Sequence, residues 1–384
     1  MKSICSKEKC TGCTACMNSC SHGAITMQPD DCGFYYPTIN QEACIDCGLC
    51  TKVCPVNSPL ELAVPSSCYA VAVKEEKELL SCSSGGAATA ISKYVIQQGG
   101  VVYGCSGTNP RFVHHIRVDN LSGLEGLKGS KYVQSDLGAI FQDIKKDLKD
   151  SRLVLFVGTP CQVAGLKNYL RQDYANLITA DIVCHGVPSQ KMLNDNLRHY
   201  VSDDEHIGIA FRRKNLQRKQ PKIEFGLGLK RKNGSLSKFK PYNKEYYMFG
   251  FLRCLTFREN CYSCPYAQSN RVGDLTLCDF WGLREDAGFE IEKGVSAFLA
   301  NTTKGDELFE KVKDSVVWKQ REVKEATRWN DQLNRPSSKP KSYQRFMQLY
   351  TRKSFRKSMA ISYYRDYFYD VYIQYKNRIK SHFH

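Results

Sequence analysis

Residues Cys10 to Cys20 read CTGCTACMNSC, and the same spacing of cysteines, C-x2-C-x2-C-x3-C, returns between Cys44 and Cys54 as CIDCGLCTKVC. In this motif, three cysteines on a tight loop ligate three corners of one iron–sulfur cubane. The fourth cysteine, on the helix that follows, reaches the other cubane. The repeat therefore predicts two [4Fe-4S] clusters in an α+β, ferredoxin-like dicluster domain over residues 1–60.

The crossed ligation of this motif predicts which four cysteines hold each cluster. The first cluster takes Cys10, Cys13, Cys16 and Cys54. The second cluster takes Cys20, Cys44, Cys47 and Cys50. Two structural zinc sites are the alternative, but such sites normally use separated C-x2-C pairs rather than a triplet with a distant fourth ligand. Cys5 and Cys32 fall outside the pattern, so we expect them to be ordinary packed cysteines.

Cysteine content and overall composition limit the class of protein. The 384 residues include 19 cysteines, with 42% hydrophobic and 24% charged residues, which suits two or three globular domains. No apolar run approaches the roughly 18 residues of a membrane-spanning helix, and the first residues lack the apolar centre of a signal peptide. We therefore expect a cytoplasmic protein, in which clustered cysteines indicate metal or redox chemistry rather than disulfides.

The net charge of +16 is concentrated near the C-terminus. Residues 338–384 contain eleven Lys and Arg against two Asp, and aromatic residues recur from Tyr363 to Tyr375 at near-helical spacing. We expect residues 306–384 to form a helical, basic and aromatic extension that packs on the protein or contacts a partner or an acidic membrane surface. A zinc-rich protein that binds nucleic acid would also carry such charge. Basic residues are scarce within the cysteine repeats, however, so we expect no nucleic-acid partner.

Residues from about 66 to 200 alternate strand-like apolar runs with helix-like runs, which favours βαβ units and an α/β domain. The runs Leu153–Val157 and Leu177–Val183 are typical of buried parallel strands. Cys161 follows the first run and Cys184 ends the second. Because parallel neighbours end at the same edge of a sheet, where open α/β sheets bind ligands, we expect these two thiols to lie together.

A C-x2-C-P loop at Cys261 and Cys264 supplies two more thiols. With Cys161 and Cys184 these could close a third [4Fe-4S] cluster, for which Cys254 and Cys278 are reserve ligands. The alternative is that Cys161 and Cys184 are small buried residues and that the loop binds zinc or nothing. The cysteine pattern alone leaves both interpretations open.

Five motifs in this order resemble the beta subunits of coenzyme F420-reducing hydrogenases and F420-linked dehydrogenases. They are SSGG at 83–86, GSKYVQS at 129–135, GTPCQVAGL at 158–166, CHGVPS at 184–189 and RENCYSC at 258–264, and DLTLCDFWG follows at 274–282. The resemblance implies an α/β domain over residues 66–305 that binds FAD and carries its own [4Fe-4S] cluster. The ligands that it implies for this cluster are Cys161, Cys184, Cys261 and Cys264.

The resemblance also implies where the flavin binds. The residues at the start of a predicted helix are Ser83, Ser84, Gly85 and Gly86. Small residues there let backbone N–H groups approach a pyrophosphate, whose charge the helix dipole favours, and Lys131 could add a charged contact. His185 is a candidate for moving protons, since an unperturbed histidine titrates near neutral pH. Asp279 is a candidate for the flavin or substrate edge, and both residues could instead be structural.

These features predict an iron–sulfur flavoprotein oxidoreductase. It would exchange single electrons with a carrier such as ferredoxin and two electrons with a small-molecule or deazaflavin-like substrate. The alternative is an electron-transfer subunit that relays electrons to a separate catalytic protein and has no substrate of its own. Reduction of a small molecule by the isolated chain distinguishes the first hypothesis from the second.

Overall fold

The computed structural model describes residues 3–200, 206–217, 222–231, 235–236, 239–283 and 288–364, together with residues 368 and 372. The strands within these residues are β1 (Ile25–Pro29), β2 (Tyr35–Ile39), β3 (Ser67–Val73), β4 (Val101–Ser106), β5 (His114–Val118), β6 (Val154–Gly158), β7 (Leu177–Ile182), β8 (His206–Asn215), β9 (Lys222–Arg231), β10 (Lys240–Pro241), β11 (Leu275–Asp279), β12 (Ser296–Ala300) and β13 (Val316–Arg321).

The α-helices are α1 (Ala15–Ser19), α2 (Leu49–Lys52), α3 (Glu76–Ser81), α4 (Ala87–Gln97), α5 (Ile140–Lys149), α6 (Pro160–Leu170), α7 (Gln190–Leu197), α8 (Tyr246–Leu252), α9 (Thr303–Val312), α10 (Val323–Arg328) and α11 (Tyr343–Tyr350). Residues 355–364 are also helical. Short 3₁₀ helices cover Ser122–Leu127, Tyr242–Lys244, Glu259–Ser263, Ile291–Lys293, Lys313–Ser315 and Asp331–Leu333.

The N-terminal residues form a small α+β unit built on the cysteine repeat. β1 and β2 pair as an antiparallel hairpin, and each cysteine loop runs into a short helix, α1 or α2. The residues just before these helices, Thr14 and Gly48, have left-handed backbones with φ of 62° and 72°. Such a conformation turns the chain sharply between each cysteine loop and its helix.

The large domain is built on an eight-stranded mixed sheet with the order β13-β3-β12-β11-β7-β6-β4-β5. Its centre, β4, β6, β7 and β11, is parallel, as the apolar runs before Cys161 and Cys184 predict. The outer strands are antiparallel, so the sheet is mixed rather than built from βαβ units throughout. The antiparallel strands carry no motif, and their pairing depends on contacts far apart in the sequence.

Helices cover both faces of this sheet. Successive residues of a strand point to opposite faces, so Leu155 of β6 packs with α4 and α9, whereas Phe156 packs with α5 and α6. Cys13 and Val53 of the N-terminal unit belong to the second of these cores. The cysteine repeat therefore packs directly on the α5–α6 side of the large domain.

A smaller antiparallel sheet, β10-β9-β8, stands beside the large one. With α7, α8, α11 and the helical residues 355–364 it encloses a core rich in aromatic side chains, among them Phe211, Tyr247, Phe257 and Phe346. Burying a side chain of this size stabilises the fold by about 1.5–3 kcal/mol. This aromatic core fixes the position of the segment that carries Cys261 and Cys264.

The segment expected to be a separate helical extension from residue 306 contributes to the large sheet. β13 pairs with β3, with Val316 opposite Val73, and α9 packs with α4. β13 is thus part of the large sheet, although it lies beyond the predicted boundary at residue 305. Of the aromatic residues from Tyr363 to Tyr375, Tyr367, Tyr369 and Tyr375 lie outside the described residues. Among the described helices, none combines the length and the apolar character needed to cross a membrane.

Candidate functional site

A cavity of about 340 Å³ opens where the parallel strands of the large sheet end. β6 and β7 are parallel neighbours, with Val157 beside Ala180, and β11 continues the sheet on the other side of β7. The last residues of these three strands, Gly158, Ile182 and Asp279, all line the cavity. Ligands of open α/β sheets bind at this edge, and the volume lies within the usual range of small-molecule sites.

Four cysteines from three separate segments line the cavity. Cys161 lies in the first turn of α6, Cys184 follows β7, and Cys261 and Cys264 flank the end of the 3₁₀ segment Glu259–Ser263. Burial and the neighbouring Cys161 thiol raise the pKa of Cys184 to about 12. Burial and the Cys184 thiol raise the pKa of Cys261 well above its ordinary value. These thiols are therefore close neighbours, and binding a metal would displace their protons.

The reserve candidates Cys254 and Cys278 do not join this group. Cys278 lines the cavity, but its pKa is raised by burial and then by Asp279 and Cys68. Cys254 lies beside Ser337 instead. Within the described ranges, no three His, Cys, Asp or Glu side chains converge tightly enough to hold a single metal ion. The four predicted thiols nevertheless line one and the same cavity.

The eight cysteines of the N-terminal unit differ in exposure. The four predicted for the first cluster are each at most 9% exposed, namely Cys10, Cys13, Cys16 and Cys54. In the second set Cys47 is exposed, and the other three are partly exposed. The first set is thus buried toward the large domain, while the second set faces solvent.

Cys5 contacts two predicted cluster ligands, although it lies outside the repeat. Its thiol contacts the thiols of both Cys10 and Cys54, so it lies against the first set of ligands. Cys32 is a packed cysteine, as expected, buried in the aromatic core beside Phe34. Only the fold reveals the contacts of Cys5, because sequence spacing places it five residues before the motif begins.

Comparison with known proteins identifies both parts of the chain. Residues 9–58 match the 4Fe-4S dicluster domain, and residues 151–326 match the family described as the C terminus of the coenzyme F420 hydrogenase/dehydrogenase beta subunit. The chain thus combines a 4Fe-4S dicluster domain with a segment that is similar to the F420 hydrogenase/dehydrogenase beta subunit, and the resemblance drawn from its motifs is confirmed.

Curated relatives match only the N-terminal cluster unit. The ferredoxin-type protein NapF of Escherichia coli K12 is 39% identical over 46 residues, which are 12% of this chain and 28% of NapF. An uncharacterized ferredoxin of Methanocaldococcus jannaschii is 37% identical over 57 residues, 15% of this chain and 73% of that protein. The chain therefore spans little more than a quarter of the length of NapF.

A solved structure resembles most of the chain. It is a chain of the xenon-derivatised F420-reducing [NiFe] hydrogenase complex from Methanosarcina barkeri, with a TM-score of 0.48 and 16% sequence identity. The alignment covers 71% of this chain and 87% of that chain.

Three of the four serine and glycine residues just before α4 line the cavity. Ser83, Ser84 and Gly86 line it, together with Ala87 in the first turn of α4. Gly85 does not line it, because its backbone packs between strands, where a Cβ would lie 2.2 Å from the Val71 carbonyl oxygen. Gly86 has a left-handed backbone with φ of 86°, and no side chain caps the helix. The first N–H groups of α4 therefore remain available for an anion.

Basic side chains surround this loop. The ammonium of Lys131 donates to the Leu127 carbonyl oxygen, and burial lowers the pKa of Lys131 to about 8. Lys214 of β8 donates to the Ser84 carbonyl oxygen over 2.9 Å, and burial lowers its pKa to about 8 as well. Lys214 lies far from the loop in sequence and has no local motif, so only the fold identifies it.

Asp279 and His185 both line the cavity, but their surroundings differ. The carboxylate of Asp279 accepts two contacts of 2.9 and 2.8 Å from the Arg212 guanidinium. Burial and the Arg212 charge lower the pKa of His185, so its imidazole is neutral near pH 7. The side chain of Asp279 is therefore held by Arg212, while the neutral imidazole of His185 can accept a proton. Arg212, which sequence analysis missed, also lines the cavity.

Residues beyond the predicted boundary at 305 form one wall of the cavity. Asn330, Pro336 and Ser337 all line it. Asn330 donates from Nδ2 to the Asp279 carbonyl oxygen over 3.2 Å, and Ser337 donates from Oγ to the His185 carbonyl oxygen over 2.5 Å. The C-terminal segment therefore anchors the backbone of both candidate residues.

Proposed function

We propose that the protein is an iron–sulfur flavoprotein oxidoreductase that passes electrons between a one-electron carrier and a two-electron substrate. One observation carries the proposal: the four cysteines predicted to hold a third cluster and the loop before α4 line the same cavity. Iron–sulfur clusters supply one-electron steps, and a bound FAD joins these steps to two-electron chemistry.

The donor set fits a third [4Fe-4S] cluster. Thiolates are the soft ligands that iron–sulfur clusters require, and the four cysteines come from segments fixed by α6, β7 and the aromatic core. Arg271 supports the loop that carries Cys264, because its guanidinium donates to the Tyr266 carbonyl oxygen over 2.9 Å and pairs with the buried Asp181. This loop is therefore held in place before any iron binds.

The surroundings of the α4 N-terminus fit the diphosphate of FAD. The uncapped N-terminus of α4, the small residues Ser83 and Gly86, and the cation Lys131 all line the cavity. Lys214 does not line it, but its ammonium donates to the carbonyl oxygen of Ser84 in the same loop. A helix N-terminus favours negative charge, and buried cations add to this preference. The neutral imidazole of His185 could then accept a proton when the substrate or flavin changes protonation.

The exposures of the cysteine sets support an order of electron transfer. Cys47 lies at the surface, where a catalytic subunit or a redox protein such as ferredoxin can approach. Cys13 is buried against α6, since a Cβ at Gly165 would lie 2.9 Å from its Sγ, and Cys161 is near enough to contribute to its raised pKa. The chain would thus pass electrons between the surface set, the buried set and the cavity set. We place this chemistry in the reducing cytoplasm, where free thiols persist.

The first test is the composition and reduction of protein purified without oxygen. We expect about twelve iron and twelve sulfide atoms and about one FAD per chain, because each cubane holds four of each. Reduced ferredoxin should then bleach the flavin absorbance. About eight iron atoms with no flavin would favour the alternative, a relay subunit of a larger redox complex. Zinc in place of iron would contradict both functions.

A further inference from the structure

Arg258 lies between the N-terminal cysteine repeat and the cavity thiols, and its side chain is fully buried at 0% exposed. Its Nε donates to the Cys10 carbonyl oxygen over 2.7 Å, and its Nη2 donates to the Tyr35 carbonyl oxygen over 2.9 Å. Its guanidinium lies 4.1 Å from the centre of the Tyr36 ring. The side chain of Arg258 is thus held by hydrogen bonds and an aromatic contact from separate segments of the chain.

Every partner that the structure gives this guanidinium is formally neutral. The third acceptor is the side-chain oxygen of Gln134, 3.4 Å from Nη1. In the described part of the chain, no carboxylate lies within ion-pair distance of Arg258. The other fully buried arginine, Arg271, is paired with Asp181 over 2.6 Å. A buried charge without a counter-charge is strongly unfavourable, so Arg258 requires an anion that the polypeptide alone does not supply.

Predicted cluster ligands lie on both sides of Arg258. The guanidinium contacts the side chain of Cys10 as well as its carbonyl oxygen. The backbone N–H of Arg258 donates to the Val187 carbonyl oxygen, just beyond Cys184, over 3.0 Å. The missing counter-charge is therefore expected at the ligands of the first cluster.

We propose that Arg258 is a positioning residue that supplies the counter-charge of the cluster held by Cys10, Cys13, Cys16 and Cys54 and raises its reduction potential. Reduction adds one negative charge to the thiolate-ligated cluster, and a desolvated cation nearby stabilises the reduced form more than the oxidised form. This proposal depends on the dicluster domain and not on the flavin or the third cluster. It can therefore fail while the proposed function stands, and the reverse is also true.

An EPR-monitored redox titration of the full chain, purified without oxygen, tests this role. Arg258→Gln should shift the midpoint potential of one N-terminal cluster to a more negative value, while Arg258→Lys, which keeps the charge, should leave it near that of the unchanged protein. Cys16→Ser, which removes a ligand of the first cluster, identifies the signal that should shift. Arg152→Gln is the matched control, since Arg152 is 44% exposed and pairs with Asp147 rather than with a cysteine, and it should shift nothing.

Gln134→Glu provides a second route that leaves Arg258 in place. The new carboxylate would neutralise the guanidinium and should lower the same potential, whereas Gln134→Leu, which loses the contacts without adding charge, should lower it less. If the Arg258→Gln protein does not retain iron, the midpoint potentials of Gln134→Glu and Gln134→Leu test the proposal instead. An unchanged potential in Gln134→Glu, or equal shifts in Arg258→Gln and Arg258→Lys with iron retained, would overturn the proposal.

Discussion

At the scale of single residues, Lys131 shows how the cavity is prepared for an anion. Burial holds the pKa of Lys131 at about 8 in the folded chain, below the value of about 10.4 for a lysine in water. Between these two values the unfolded chain binds more protons, so the contribution of Lys131 to stability rises with pH across this window. At neutral pH the charged lysine therefore destabilises the protein until an anion binds.

Lys131→Met should separate stability from flavin binding. We expect FAD to bind at least about tenfold more weakly, a loss of about 1.4 kcal/mol, because one cation near the diphosphate is removed. The melting temperature of the flavin-free protein at pH 7 should stay the same or rise. Flavin fluorescence titrations and thermal unfolding measure the two effects.

Lys149→Met is the control for this prediction, because Lys149 is exposed at the end of α5. It should leave both flavin binding and melting temperature unchanged. If Lys131→Met binds FAD with the affinity of the unchanged protein, Lys131 is not part of the flavin site.

The residue scale also shows which parts of the site local spacing can predict. The eight N-terminal cysteines are recognisable because their spacing repeats, and the cavity cysteines because they follow apolar strands or form a C-x2-C loop. His185 and Asp279 directly follow Cys184 and Cys278. Arg212 pairs with Asp279 across 67 residues, and Arg258 reaches Cys10 across 248. Contacts of this kind depend on the whole fold, so no local pattern predicts them.

At the scale of elements, the turn into α4 depends on two adjacent glycines for different reasons. Gly85 has no room for a side chain, because a Cβ would lie 2.2 Å from the Val71 carbonyl oxygen. Gly86 has a left-handed backbone, and a Cβ there would lie 3.0 Å from Val73. The first constraint is imposed by backbone atoms, which cannot move aside, whereas the second is imposed by a side chain.

Substitution of these glycines should therefore produce graded effects. Gly85→Ala should destabilise the protein more than Gly86→Ala, for which about 1–2 kcal/mol of backbone strain is expected. Gly99→Ala is the matched control, because Gly99 has φ of 75° and a Cβ added there would meet no atom within 4 Å. Thermal unfolding and FAD content of the purified variants measure the outcome.

Both loop variants should lose FAD, while Gly99→Ala should keep it despite similar strain. Full FAD content in Gly86→Ala would argue that the N-terminus of α4 does not hold the diphosphate.

The central strands were predictable because they are apolar and end at recognisable residues. The predicted run Leu153–Val157 corresponds to β6 (Val154–Gly158), and Leu177–Val183 corresponds to β7. β13 was missed because Val317 and Trp318 are exposed on an edge strand, where no regular buried pattern is required. Its pairing with β3 joins residues beyond 305 to the large sheet.

At the scale of the whole molecule, the dicluster unit and the beta-subunit domain are packed together. Asn18 of α1 donates to the Gly138 carbonyl oxygen over 2.9 Å, and Asn168 of α6 donates to the Ser58 carbonyl oxygen over 2.8 Å. Cys13 lies against α6, which begins beside Cys161. Two motifs that are separate in the sequence thus lie against the same helix, α6.

The central claim, that the cavity thiols hold a third cluster, is tested most directly by counting iron in paired cysteine variants. Cys184→Ser combined with Cys261→Ser should reduce iron from about twelve to about eight atoms per chain, because one cubane is lost. Cys254→Ser combined with Cys278→Ser should keep about twelve, since these thiols lie outside the group. Equal iron in both double variants would contradict the claim.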